Sequence, residues 1–102
     1  MNYRPLAKLI DLHDGFRISH RFDQHHILLL QEKGKLFACD AVCPHQETKM
    51  QQADVSEGII ICPRHAMQFS LITGACLTGP NADCSLGIYE LVYIDNTVGV
   101  YL

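Results

Sequence analysis

Residues 58–69 read GIIICPRHAMQF. Three isoleucines run straight into Cys62, Pro63, Arg64 and His65. A short apolar run preceded by glycine predicts a buried strand. A strand that ends by presenting a thiol and an imidazole three residues apart serves packing, catalysis or a metal. The rest of the chain decides among them.

A second pair stands upstream in AVCPHQ, residues 41–46. The full pattern is C-x-H at Cys43 and His45, sixteen residues, then C-x-x-H at Cys62 and His65. Each half follows a strand candidate and contains a proline, which stiffens the turn and removes a competing backbone donor. Two thiolates and two imidazoles on two loops suit one metal centre. Zinc accepts two Cys and two His tetrahedrally. Common zinc fingers, however, group the cysteines and then the histidines, whereas here each loop supplies one of each. Interleaving suits a binuclear iron–sulfur cluster with one iron held by thiolates and the other by neutral imidazoles.

Outward from these loops, the apolar residues fall in short runs and alternations bounded by Gly, Asp, Asn and Pro. Strands are predicted at Arg17–Phe22, Ile27–Gln31, Leu36–Cys39, Ile59–Cys62 and Gln68–Leu71. A last hairpin joins Ile88–Ile94 to Val98–Leu102 around Asp95-Asn96. Turns are expected at Asp23-Gln24-His25, Glu32-Lys33-Gly34 and Thr73-Gly74. Asp40–Glu57 reads as poor in strands. The expected class is all-β, an antiparallel sandwich or small barrel.

The chain has 102 residues, 48% of them apolar, which suits one domain over 1–102 with a real core. A net charge of -3 and a pI near 6.0 argue against nucleic acid, which needs a basic face. No signal segment is evident, and Ile27–Leu30 is far too short to span a membrane. A cytoplasmic protein without membrane contact is expected. The five cysteines are odd in number, which weakens a disulfide framework and favours metal or redox use.

The motif CPH…CPRH, continued by MQFSLITG and by Gly79-Pro80, resembles the Rieske-type [2Fe-2S] ferredoxins over nearly the whole chain. The resemblance implies the Rieske fold, with a cluster-binding part at about 40–80 built from two ligand loops and a proline loop. It implies one cluster per chain, with Cys43 and Cys62 on the inner iron and His45 and His65 on the outer iron. The outer imidazoles would then be the exit for the electron.

Departures from the pattern narrow the type. The high-potential respiratory members carry an extra cysteine on each ligand loop, and the two form a disulfide. Glu47 and Arg64 stand there instead. Those members also place a serine and a tyrosine to donate to cluster sulfur and a thiolate, where this chain has Met67 and Phe69. Fewer donors stabilise the reduced cluster less, which sets the expected potential near roughly -150 mV, not about +300 mV. Ala53 replaces a glycine usual between the ligand loops and leaves the path of residues 50–57 open.

The chain then resembles the soluble ferredoxins of bacterial oxygenase systems. Their partners are a flavin-containing NAD(P)H reductase and a terminal mono- or dioxygenase. No active site of its own and no GxGxxG fingerprint is present, so a one-electron carrier is expected, not an enzyme. Arg64, Gln46, Glu47 and Met67 flank the ligands and form the expected docking rim. Two alternatives stand beside this reading: the small Rieske-like subunit of an assimilatory nitrite reductase, and a zinc-stabilised interaction module. Cys39, Cys76 and Cys84 read as small buried hydrophobes. His13, His20, His25 and His26 lack a thiol at ligand spacing, and His25-His26 reads as a solvated turn.

Overall fold

The computed structural model describes residues 1–42, 49–63, 67–78 and 85–102. Among the described residues there are nine strands: β1 (Tyr3–Lys8), β2 (Arg17–Phe22), β3 (His25–Glu32), β4 (Lys35–Asp40), β5 (Asp54–Ser56), β6 (Ile59–Ile61), β7 (Gln68–Ser70), β8 (Val92–Ile94) and β9 (Thr97–Tyr101). A single 3-10 turn, Leu9–Asp11, follows β1 among the described residues. No helix there is long and apolar enough to cross a membrane.

The strands form three antiparallel sheets, in the orders β1-β9-β8, β2-β3-β4 and β5-β6-β7. Strand β3 explains their arrangement. Its residues Ile27–Leu30 are all fully buried. Successive side chains on a strand point to opposite faces. Leu28 and Leu30 accordingly join a core with Ile60, Phe69 and Leu71. Ile27 and Leu29 join a second core with Leu6, Val98 and Val100. The β2-β3-β4 sheet is therefore the middle layer, apolar on both sides. That is why ILLL runs without alternation. Each of these four side chains contributes about 1.5–3 kcal/mol by leaving water.

Tight turns set the registers. Lys33 and Gly34 have φ 50° and 77°, and Glu57 and Gly58 have φ 52° and 76°. Two successive positive φ values match the twist of an antiparallel hairpin. Asp23 and Asp95 also take positive φ, 54° each, in the other two hairpin turns. The expected turn at Asp23-Gln24-His25 is one residue shorter, since His25 and His26 already pair within β3. His25 stays exposed while His26 is half-buried, so the solvated-turn reading holds only for the exposure of His25.

Three differences from the sequence reading have physical causes. Strand β1 escapes the pattern because Pro5 interrupts it and only Leu6 is buried. It lies at a sheet edge, where a missing N–H is tolerated, and its register shifts between Pro5 and Ala7. Strand β5 lies inside the stretch expected to be strand-poor; it is three residues long and only Val55 turns inward. That also defines the path of residues 50–57: Ala53 is buried, and its N–H closes a turn onto the Met50 carbonyl at 3.1 Å. Arg17 Nη1 bonds the Gln51 and Ala53 carbonyls at 3.1 and 2.5 Å, and the Ser19 hydroxyl bonds the Gln51 amide oxygen. Lastly, Ile88–Ile94 is not one strand. Residues 87–89 pair along β4, through Asp40 N–H to the Gly87 carbonyl and Tyr89 N–H to the Ala38 carbonyl, each 2.9 Å. Only Val92–Ile94 reaches β9.

Candidate metal centre

Of the four expected ligands, only Cys62 lies within the described residues. Cys43, His45 and His65 fall outside them, as do Gln46, Glu47, Arg64, Gly79, Pro80 and Cys84. The structure does show the frame from which their three segments leave.

Each segment is bounded by a closed neck. Val42 and Lys49 form an antiparallel bridge around residues 43–48. The Cys62 N–H donates to the Met67 carbonyl at 2.8 Å, across residues 64–66. Ala75 and Ser85 bridge around residues 79–84. The third neck is tied to the second: Leu77 N–H donates to the Gln68 carbonyl at 2.7 Å, and Gln68 N–H donates to the Thr78 hydroxyl at 2.9 Å. All three necks meet in one apolar cluster. Ala41 and Met50 flank the first, Cys62 and Met67 the second, Cys76 and Leu86 the third.

The local chemistry of MQFSLITG is legible here. Phe69 is fully buried. The Ser70 hydroxyl accepts the N–H groups of Ile72 and Thr73, both at 3.1 Å. Gly74, at φ 81°, then reverses the chain towards the third neck.

Cys62, the one expected donor among the described residues, fits an iron–sulfur cluster. Cys62 is a free, fully buried thiol directly after β6. It sits at the neck of a segment that carries His65, in the cluster bordering a segment that carries Cys43 and His45. Soft thiolates with imidazoles suit iron–sulfur or zinc chemistry, and the apolar wall limits water. Among the described residues, no three His, Cys, Asp or Glu side chains assemble a competing metal site.

The remaining candidates are structural. Cys39 is fully buried. Burial, then the neighbouring Asp40 charge, pushes its thiol up to about 12. It remains protonated and packs as a hydrophobe, as expected. Cys76 is half-buried, and its thiol donates to the Thr78 carbonyl at 2.7 Å. His13 bonds the Asp11 carbonyl, and His20 donates to the Leu6 carbonyl at 2.8 Å while stacking on Phe22. Met67 is half-buried against the core, which limits what it offers to a docking rim.

Residues the sequence reading missed are Asp40, Gly87 and Tyr89. The Asp40 carboxylate accepts the Gly87 N–H at 2.8 Å and the Tyr89 hydroxyl at 3.0 Å. Their separation of 47 and 49 positions left no local signal. Desolvation first, and Asp40 second, push the Tyr89 hydroxyl up to about 12. Both Cys39 and Tyr89 thus have raised values in the folded state. Their stabilising effect is complete below the unfolded values, 9.0 and 10.0, and is lost as pH rises towards 12. Chemical denaturation between pH 8 and 12 is expected to show stability falling above about pH 9, with the decline shallower in Tyr89→Phe.

Comparison with known proteins accords with this arrangement. A family model described as a Rieske [2Fe-2S] domain matches residues 2–96. The ferredoxin component of the alkene monooxygenase system of Xanthobacter autotrophicus is 30% identical over 82 residues, covering 79% of this chain and 67% of that protein. The ferredoxin component of the naphthalene 1,2-dioxygenase/salicylate 5-hydroxylase systems of a Ralstonia species is 28% identical over 79 residues, covering 78% and 76%. The solved structure of Sphingomonas yanoikuyae B1 ferredoxin shares the fold, with a TM-score of 0.84 at 22% identity and 99% of both chains covered. So does a putative NADPH nitrite reductase small subunit, with a TM-score of 0.77 at 18% identity over the whole of both chains.

Proposed function

The chain belongs to the Rieske [2Fe-2S] domain family, and on that premise we propose that it passes electrons from an NAD(P)H-dependent flavin reductase to a terminal mono- or dioxygenase. It is an electron-transfer component carrying a Rieske [2Fe-2S] cluster and is not itself a catalyst. The observation that carries the oxygenase assignment is the relationship to ferredoxin components of two different oxygenase systems. The nitrite-reductase likeness, at 18% identity, is one of fold alone.

We assign Cys43 and Cys62 to the inner iron and His45 and His65 to the outer iron of one cluster per chain, within about residues 40–80. The cluster supplies the one-electron chemistry. The chain's own residues hold it, shield it and set its potential. Cys62 is itself fully buried directly after β6, and its N–H is bonded to the Met67 carbonyl, so its thiol has little freedom to move. Phe69 and Met67 pack against the core and bring no hydroxyl to the site. That supports a potential near the lower end of the family range, roughly -150 mV. A small, transient interface with each partner suits such a carrier, and cytoplasmic NAD(P)H is the natural electron source.

The test is an absorption spectrum before and after dithionite, followed by EPR of the reduced sample. A red-brown protein that bleaches and gives a rhombic signal of mixed Cys/His ligation is expected. A colourless protein with stoichiometric zinc after anaerobic iron–sulfur reconstitution would sink the reading. Gel filtration separates the ferredoxin from a nitrite-reductase subunit, which would favour permanent association.

A further inference from the structure

Asp40 is the last residue of β4, three positions before Cys43. The chain allows at most about 11 Å between their Cα atoms. Its carboxylate uses both oxygens, Oδ2 on the Gly87 N–H and Oδ1 on the Tyr89 hydroxyl. Its own N–H donates to the Gly87 carbonyl at 2.9 Å. Three hydrogen bonds thus join the strand entering the first ligand segment to the stretch leaving residues 79–84. Gly87 is the residue that admits the carboxylate: a Cβ there would lie 2.5 Å from Asp40 Oδ2 and 2.9 Å from its Cγ. The Tyr89 oxygen also lies 3.4 Å from His25 Nδ1, with the rings edge to face. Since the tyrosine proton goes to Asp40, His25 is the donor in that contact.

We propose that Asp40 is a positioning residue that locks the first and third loop necks together and, through its negative charge, lowers the reduction potential of the cluster. This rests on the iron–sulfur reading above. Geometry alone explains the lock: two donors face two separate oxygens. Asparagine can keep both contacts without the charge, its amide oxygen accepting the Gly87 N–H and its NH2 donating to the Tyr89 oxygen, because a phenol hydroxyl also accepts. The charge explains the potential. Reduction adds an electron to a centre whose first assigned ligand, Cys43, is three positions away, and a half-buried carboxylate opposes it. The Tyr89 hydroxyl, kept protonated, partly offsets that charge by hydrogen bonding.

The two effects separate by substitution, measured as midpoint potentials of the holoprotein alongside iron content and reduced-state EPR. Asp40→Asn removes the charge and is expected to favour reduction about tenfold, a positive shift of about 59 mV for a one-electron couple. Tyr89→Phe keeps the charge but strips one donor from it, and is expected to give a smaller shift in the negative direction. Asp40→Glu is expected to restore a potential near that of the native protein. A merely structural role would loosen the site alike in Asp40→Asn and Tyr89→Phe and move both potentials the same way. Potentials unchanged, or shifted together, overturn the proposal. If Asp40→Asn does not retain its cluster, Tyr89→Phe decides: a negative shift supports the proposal and none overturns it. A native protein without iron would instead overturn the underlying iron–sulfur reading, which keeps the two failures distinct.

Discussion

Cys62→Ser is expected to yield a folded but colourless protein, with iron near zero, no visible absorption and no reduced-state EPR signal. Cys62 lies in an apolar cluster with Met50, Phe69 and Leu86, each almost fully buried. A serine hydroxyl there is a far poorer ligand for a cluster built on soft thiolates. The strand before it keeps its register through pairs from Ile59 to Ile61, none of which involve the sulfur. The fold should therefore survive the loss of the ligand, and circular dichroism should remain β-rich. Cys76→Ala and Cys39→Ala serve as controls and should keep full iron. Wild-type iron in Cys62→Ser would remove Cys62 from the ligand set.

Gly74→Ala is expected to cost about 3 kcal/mol or more, a fall in Tm of roughly 12–20 °C for a chain of this size. Two effects add. Gly74 has φ 81°, which costs an L-residue about 1–2 kcal/mol. A Cβ there would also overlap the Leu86 carbonyl oxygen and come to 3.1 Å from Ile88 Cγ1. The oxygen is backbone and cannot swing aside. Its displacement would disturb the Leu86 N–H bond to the Gly74 carbonyl, 2.8 Å, next to the Ala75–Ser85 bridge that closes the third neck. Gly34→Ala is the matched control, with φ 77° but nothing within 4 Å of the added methyl. It should lose only about 1 kcal/mol. Thermal melts of the two variants under one buffer check the difference. Equal losses would show that the carbonyl contact at Gly74 carries no cost.

Much of the β structure was readable because local rules suffice for it. Arg17–Phe22 is reproduced residue for residue. The centres of β3, β4, β6, β7 and β9 lie where apolar runs and turn residues put them. The turns at Lys33-Gly34 and Asp95-Asn96 announce themselves through residues that accept positive φ. The misses follow from the same logic. Strand β5 turns a single apolar residue inward, too little for a periodic signal. In β1, Pro5 breaks the strand pattern, and only its place at a sheet edge makes the residue acceptable. Residues 88–91 were misread as one strand with 92–94, since the chain there switches from β4 to the β8–β9 hairpin and its partners are chosen by tertiary packing.

For the site, the sequence by itself determined the family and offered the expected donor types. Two thiols and two imidazoles in an interleaved order are covalent facts, and their spacing needs no folded chain to be recognised. It also put a strand on the aliphatic run Ile27–Leu30, whose lack of alternation accords with the burial on both faces that the structure shows. The tertiary structure alone decided that one apolar cluster gathers the necks of three segments far apart in the chain. It alone joined Asp40 to Gly87 and Tyr89. Such contacts depend on loop closure over tens of residues, whose cost is met only by the assembled core. No local pattern of side chains records which distant donor a carboxylate will find.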